Sequence, residues 1–190
     1  MSPLNIDIPN KIKLALDRLH EAGHEAYIVG GCVRDSLLGK KPCDWDIATS
    51  AIPEEIKEVF GDYHQIDTGL KHGTVMIVID KELIEITTYR IDDEYSDGRR
   101  PDKVYFTTRI IEDLGRRDFT INACAMTETH IIDPFGGQKD LKKRLIRCVG
   151  DPTQRFTEDA LRILRGIRFA SVLGFQVEEG TKKAMLECMH

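Results

Sequence analysis

Nothing in this 190-residue chain is long and apolar enough to cross a bilayer, since no run approaches the roughly 20 residues a spanning helix needs. No apolar stretch of the signal-peptide kind follows Met1, so a cytoplasmic protein without membrane partners is expected. Basic residues are not in surplus. The 27 Lys and Arg against 32 Asp and Glu leave a formal net charge of -5, which excludes a chain coated in positive surface but not local patches that meet phosphate. Cysteine is sparse: Cys32, Cys43, Cys124, Cys148 and Cys188 show no CxxC spacing. Such a set reads as free thiols in a reducing compartment and argues against a zinc site. Internal repeats and low-complexity segments are absent, and so is GxxxxGK[ST], which disfavours a P-loop kinase or ATPase. The remainder, 41% hydrophobic and 31% charged, suffices for one folded core or one core plus the start of another.

The most informative stretch runs from Gly30 to Asp46, GGCVRDSLLGKKPCDWD. Paired glycines follow the apolar strand candidate Tyr27-Ile28-Val29, and Arg34-Asp35 lie in a short helix ending at Gly39. If residues 43–48 form a strand, Asp44 and Asp46 point to one face, about 7 Å apart at the backbone. A charged turn accounts for the pair; so does a site for hard divalent cations, which take oxygen ligands and bridge phosphates.

In chain order, residues 2–9 have no periodicity and read as a loose leader. Ile12, Ala15, Leu16 and Leu19 predict a helix that Asn10 could cap and Gly23 stops. After the DxD stretch, Thr49 or Ser50 could cap a helix with Pro53 and Glu54-Glu55 in its first turn. Tyr63 to Asp67, Val75 to Ile79 and Leu83 to Tyr89 read as strands, the last two forming a hairpin around Asp80-Lys81. Glu85 falls on a strand face, either solvated or turned toward Asp44 and Asp46. Residues 90–102 read as a polar loop before a strand at Val104 to Thr107. Ile110 to Leu114 predicts a short helix delivering Arg116-Arg117-Asp118 into an apolar segment. Arginines entering a core need phosphate or a folded-in acid beside them. Ile131-Ile132 reads as a strand and residues 133–137 as a turn. The cluster Lys139, Lys142, Lys143, Arg144 and Arg147 suits a solvated helix face and a nucleic-acid path equally.

From Asp151 the texture becomes helical, with a boundary expected near Gly150, between residues 1–149 and 150–190. A first run is expected to turn Phe156, Ala160, Leu161, Leu164, Ile167 and Phe169 inward and to end at Gly174. A second follows Gly180 with Ala184, Met185 and Met189. Its pattern still runs at the last residues, so the chain reads as a piece cut within a helical region.

Together the DxD pair, the RRD triplet and the helix with Asp159, Arg162 and Arg165 suit phosphoryl or nucleotidyl transfer, where metals align and neutralise the reacting phosphates. Amides of Gly30-Gly31 suit a triphosphate tail. Asp159 and Arg162, three apart on an expected helix face, could simply pair with each other. Alternatively they could read a base edge, the acid accepting the exocyclic amine shared by ATP and CTP.

These motifs resemble the class II tRNA nucleotidyltransferases, the family that also holds bacterial poly(A) polymerases. The resemblance spans residues 11–175 and rests on GGxVRDxLLG with DWD (30–46), RRDFTINA (116–123), DPFGG (133–137) and RFTEDALRILRGIRFA (155–170). It implies an α+β fold, a polymerase-beta-like nucleotidyltransferase head with a mixed sheet followed by the start of a helical neck. The implied activity is addition of CTP and ATP units to the 3′-hydroxyl of tRNA, with poly(A) or CC-only addition as alternatives. Asp44 and Asp46 would bind Mg2+, with Glu85 a further catalytic candidate. Gly30, Gly31 and Arg34 would line the triphosphate side. Arg116, Arg117 and Asp118 would contact the nucleotide, Asp118 at the ribose. Asp159 and Arg162 would select the base, and Arg165 would sit toward the phosphates; Asn122 and Arg168 complete the implied nucleotide-binding set. Arg90, Glu94, Tyr95 and Arg99-Arg100-Pro101 resemble the loop of enzymes that add all three nucleotides.

Overall fold

The computed structural model describes residues 6–93, 95, 98, 99 and 101–189. Half of the expected leader (2–5), Glu94 and Arg100 of the polar loop, and His190 lie outside the described residues. Within the leader, Ile8 is buried in the core, so this part is not loose.

Helix α1 (Asn10–Glu21) buries Ile12, Ala15, Leu16 and Leu19; Pro9, not Asn10, is its N-cap, and no side chain caps it. Strand β1 (Ala26–Val29) leads through Gly30 to α2 (Gly31–Leu37). Strand β2 (Asp46–Thr49) starts later than expected, so Asp44 lies on the approach to the sheet and not within it. Helix α3 (Pro53–Val59) is capped from inside, the Ile52 N–H donating to the Glu55 carboxylate at 2.9 Å. The expected cap Thr49 instead donates to the Glu25 carbonyl and accepts the Ala51 N–H.

Strands β3 (His64–Gly69), β4 (Thr74–Ile79) and β5 (Glu82–Thr88) follow. The β4–β5 turn sets both Asp80 and Lys81 at positive φ, the hand that matches strand twist. The polar loop is not wholly irregular. Its first residues form β6 (Arg90–Asp92), antiparallel to β7 (Val104–Phe106). Helix α4 (Ile110–Gly115), β8 (Ala125–Met126), β9 (Ile131–Ile132), α5 (Gly137–Lys143) and β10 (Leu145–Ile146) come next. The expected single helical run is two helices, α6 (Pro152–Glu158) and α7 (Leu161–Leu173). Strand β11 (Gln176–Val177) interrupts the helical texture before α8 (Glu179–Glu187), where Met189 beyond it is 61% exposed.

The main sheet is mixed, seven strands ordered β3-β4-β5-β2-β1-β8-β9, with the β2–β5 pair parallel and the others antiparallel. Alternation sends Ile47, Ile84 and Ile86 into the core under α1 and α3, and leaves Asp46, Glu85 and Thr87 on the opposite face. A second core joins Phe119, Ile121, Ile146 and Cys148 to Phe156, Ile163, Phe175 and Met185. It runs across the expected boundary at Gly150, as does the parallel β10–β11 pair. Each large side chain buried there is worth about 1.5–3 kcal/mol, so both sides contribute to one packing unit.

Helix α7 presents a different face from the one expected. Ile163 and Gly166 are buried, whereas Leu161, Leu164 and Ile167 are 41%, 63% and 51% exposed. Gly166 is the reason for the close approach, since a Cβ there would meet the Phe119 ring at 2.8 Å and Met185 Cε at 2.3 Å.

Candidate active site

The sheet face carrying Asp46 and Glu85 forms one wall of a cleft of about 450 Å³. Parallel pairing puts these two residues directly opposite each other, Asp46 on β2 and Glu85 on β5. Burial raises the Asp46 pKa above its ordinary value; Arg117 opposes this and Asp44 adds to it. Glu85 reaches solvent, yet cleft walls crowd it, and that partial desolvation followed by Asp46 raises its pKa too. Asp44 is exposed and lies outside this cleft, in an adjoining groove that Asp46 and Glu85 also line.

Gly30 separates the acidic wall from the basic one. Its φ is +81°, and a Cβ would stand 3.1 Å from Arg117 Nη1 and 3.6 Å from Asp46 Oδ2. Any side chain there would be strained and would part the two groups. Gly31 lines the cleft beside it, with Arg34 one turn along α2. Arg34 Nη1 donates to Asn122 Oδ1 at 2.8 Å, Nε and Nη2 pair with Asp35, and the guanidinium lies 5.2 Å from the Phe169 ring centre.

Arg116 and Arg117 do have a folded-in acid. Asp113, 1% exposed at the end of α4, accepts from Arg116 Nε and Nη2 through Oδ1 (3.0 and 2.9 Å), and from Arg117 Nη2 through Oδ2 (3.2 Å). Burial pushes its pKa up, but the two guanidiniums outweigh that and hold it below the ordinary carboxylate value. Its Oδ1 also accepts the Arg90 N–H at 3.3 Å. Asp92 supports Arg116 from the β6 side at 3.4 Å. Arg117 Nε is buried with no acceptor among the described residues. Neither Asp113 nor Asp92 stood out in the sequence; the signal was an acid three residues before RRD on a short helix.

Asp118, 6% exposed, is held on both oxygens. Oδ1 accepts from the Phe119 N–H (2.8 Å) and from Asn122 Nδ2 (3.4 Å), Oδ2 from Arg165 Nε (2.7 Å). Phe169, expected only as core, also has Arg165 5.4 Å from its ring centre and lines the cleft.

Asp159 and Arg162 do not share a helix face. The chain leaves α6 at Glu158, Asp159 is extended (φ −146°), and its Oδ1 accepts the Leu161 N–H at 2.9 Å as α7 begins. Arg162, 7% exposed, pairs with Glu158 at 2.6 Å. It also donates to the Arg155 and Arg116 carbonyls and to the Tyr95 hydroxyl at 3.3 Å. Burial, then the Asp92 carboxylate, pushes the Tyr95 phenol up to about 12. Asp159 and Arg162 both line the cleft nonetheless. Arg168 does not; it is exposed on the following turn of α7.

In the DPFGG segment Asp133 accepts the Gly137 and Gln138 N–H groups, anchoring the start of α5. Lys139, Lys142, Lys143 and Arg144 are exposed, while Arg147 pairs with Asp140 and Glu178. No helix of the described residues is long and apolar enough to cross a membrane.

Asp44, Asp46 and Glu85 offer only oxygen donors, which fits a hard divalent cation. Among the described residues no three His, Cys, Asp or Glu side chains converge on one point. That donor set suits Mg2+, which holds one or two carboxylates and keeps positions for phosphate and water.

The poly A polymerase head domain family matches residues 26–147. The CCA-adding enzyme of Leuconostoc mesenteroides is 52% identical over 173 residues, covering 90% of this chain and 43% of that protein. The Bacillus stearothermophilus CCA-adding enzyme, solved in complex with CTP, superposes with a TM-score of 0.85 at 43% identity, over 95% of this chain and 44% of its own. A tRNA nucleotidyltransferase complexed with a primer tRNA and an incoming ATP analog gives a TM-score of 0.75 at 33% identity, over 92% of this chain and 49% of its own. The chain therefore spans less than half the length of these relatives.

Proposed function

The chain belongs to the poly A polymerase head domain family, and we propose that it supplies the catalytic head of an enzyme adding CTP and ATP units to the 3′-hydroxyl of tRNA, building or repairing a CCA end. The observation that carries this reading is the opposition within one cleft of the Asp46–Glu85 wall and a wall of Arg34, Arg116, Arg117, Arg162 and Arg165. Such a cleft suits a triphosphate whose α-phosphorus must lie against carboxylates.

In this reading Gly30, Gly31, Arg34 and Arg117 face the triphosphate. Asp118 meets the ribose, and Asp159 with Arg162 reads the base. Mg2+ at Asp44 and Asp46, when bound, supplies charge neutralisation and lowers the pKa of the attacking hydroxyl. The 3′-oxygen bonds to the α-phosphorus, the bond to the β-phosphate oxygen breaks, and pyrophosphate leaves with that electron pair. The hydroxyl proton passes to Glu85, which stands opposite Asp46 across the β2–β5 pair. A cytoplasmic site of action belongs to the same reading, in keeping with Cys32, Cys124 and Cys148, whose thiols burial holds protonated.

The test gives the full-length enzyme tRNA lacking its 3′ end, Mg2+ and each NTP singly and together, and reads product length at nucleotide resolution. Growth by C, C and A followed by a stop is expected. An unbounded A tail without CTP use would favour a poly(A) polymerase, the reading the family's name suggests; a stop after two C residues would indicate a CC-adding enzyme. Resemblance of the 90–102 loop to that of CCA-adding enzymes favours the first outcome.

A further inference from the structure

Phe169 packs at the margin of the second core, in a T-shaped contact with Phe119 (ring centres 5.9 Å apart, planes at 86°), and also lines the arginine-rich cleft. Two guanidiniums from distant parts of the chain converge on its ring. Arg34 of α2 lies 5.2 Å from the ring centre and Arg165 of α7 lies 5.4 Å from it. The same two arginines are also joined through polar groups. Arg34 donates to Asn122 at 2.8 Å, Asn122 donates to Asp118 at 3.4 Å, and Arg165 donates to the other oxygen of Asp118 at 2.7 Å. Phe169 closes this circuit, which begins and ends at Arg34.

Resting on the nucleotidyl-transfer reading above, we propose that Phe169 is a positioning residue for the triphosphate, its ring holding the Arg34 and Arg165 guanidiniums at the cleft before nucleotide binds. Two like charges drawn to one place repel, and long side chains lose rotamer freedom when a ligand fixes them. The aromatic ring answers both costs. Its negative π-face attracts cations, and a planar guanidinium stacks on it. Contact with fully buried Phe119 keeps the ring itself in place. Asp35 pairs with Arg34 and Asp118 with Arg165, whereas the ring meets both arginines. A leucine at 169 would fill much the same space and lie against the same arginine stems, so packing alone does not call for an aromatic side chain.

The experiment titrates the full-length enzyme with CTP and with CMP in the presence of Mg2+, comparing the parent with Phe169→Leu and Phe169→Tyr. The two ligands share base and ribose, so the ratio of their affinities reads the triphosphate side alone. In Phe169→Leu that ratio should fall about tenfold with CMP affinity nearly unchanged, while Phe169→Tyr should keep the parent ratio. Equal weakening of both ligands, or weakening of neither, would overturn the proposal. Should Phe169→Leu fail to fold, pentafluorophenylalanine is introduced in place of Phe169, which keeps the ring's shape and reverses the charge of its π-face. The same fall is expected there, and a parental ratio would overturn the proposal. A parent enzyme that binds CTP no better than CMP would remove the triphosphate assignment made under the proposed function. A parent that prefers CTP, matched by its variants, would refute the role of the ring alone.

Discussion

Asp113 belongs to none of the recognised motifs, yet it sets two adjacent guanidiniums side by side at the cleft. Two cations on consecutive residues repel; a buried carboxylate with an oxygen for each offsets that and fixes their directions. Asp113→Asn should lower stability by about 3 kcal/mol, because it leaves buried charges short of a partner. It should also weaken CTP binding about tenfold, with Asp113→Glu recovering part of the loss. Thermal denaturation and nucleotide titration on the same samples separate the two effects. Asp46→Asn should reduce nucleotide addition about a thousandfold while leaving the fold intact, checked by single-turnover extension beside a melting curve. Glu85 gives a test with opposite signs. Its folded pKa is raised, so its contribution favours the folded state at low pH and is lost as pH rises through the folded value. Ionised Glu85 therefore destabilises at pH 7. With divalent metal chelated, Glu85→Gln should melt above the parent at pH 7, and the difference should vanish below about pH 4.

At the scale of elements, α7 decides how the basic wall is held. It carries Arg162 and Arg165 toward the cleft and packs through Gly166 on Phe119, itself fully buried. Gly166→Ala forces a Cβ against that ring and should cost about 1–3 kcal/mol. Because displacement of α7 shifts both arginines, KM for CTP should rise while Asp46 is untouched. A melting curve and steady-state kinetics check this; unchanged values for both would mean that the ring yields freely. The break between α6 and α7 matters as much. Extended Asp159 ends α6 and accepts the Leu161 N–H, while Arg162 pairs with Glu158 and lies beside Tyr95 from the β6–β7 loop.

Over the whole molecule, the second core ties residues on either side of Gly150 into one body. A chain ending at residue 150 loses Phe156, Ile163, Phe175 and Met185 from around Phe119 and Ile146. Hydrogen exchange should then show residues 119–148 poorly protected, whereas residues 1–190 should unfold in one transition. The same 190 residues should bind CTP but extend tRNA slowly, since they span only 43% of the Leuconostoc relative's length. Efficient turnover by residues 1–190 alone would contradict this.

Local chemistry was enough to locate α1 to α4, strands β1, β4, β5 and β9, the turn at Asp80-Lys81 and the three clusters of polar residues. Each follows from spacing, glycine placement or charge within a short window. The start of β2 at Asp46 and the buried face of α7 were settled by partners distant in the chain. Strand β5 pairs with Asp46 but not Asp44, and Phe119 admits only Gly166. The split between α6 and α7 is local, with Leu161 donating to Asp159. Asp113 is a different case: its two arginine partners lie three and four residues on, so spacing carried the signal, and only its burial needed the fold. Periodicity pointed to Leu161, Leu164 and Ile167 as the inward stripe of α7, and the fold buries Ile163 and Gly166 instead. Only the shape of its neighbours could choose between them, because packing depends on which surfaces meet, and sequence spacing does not record that.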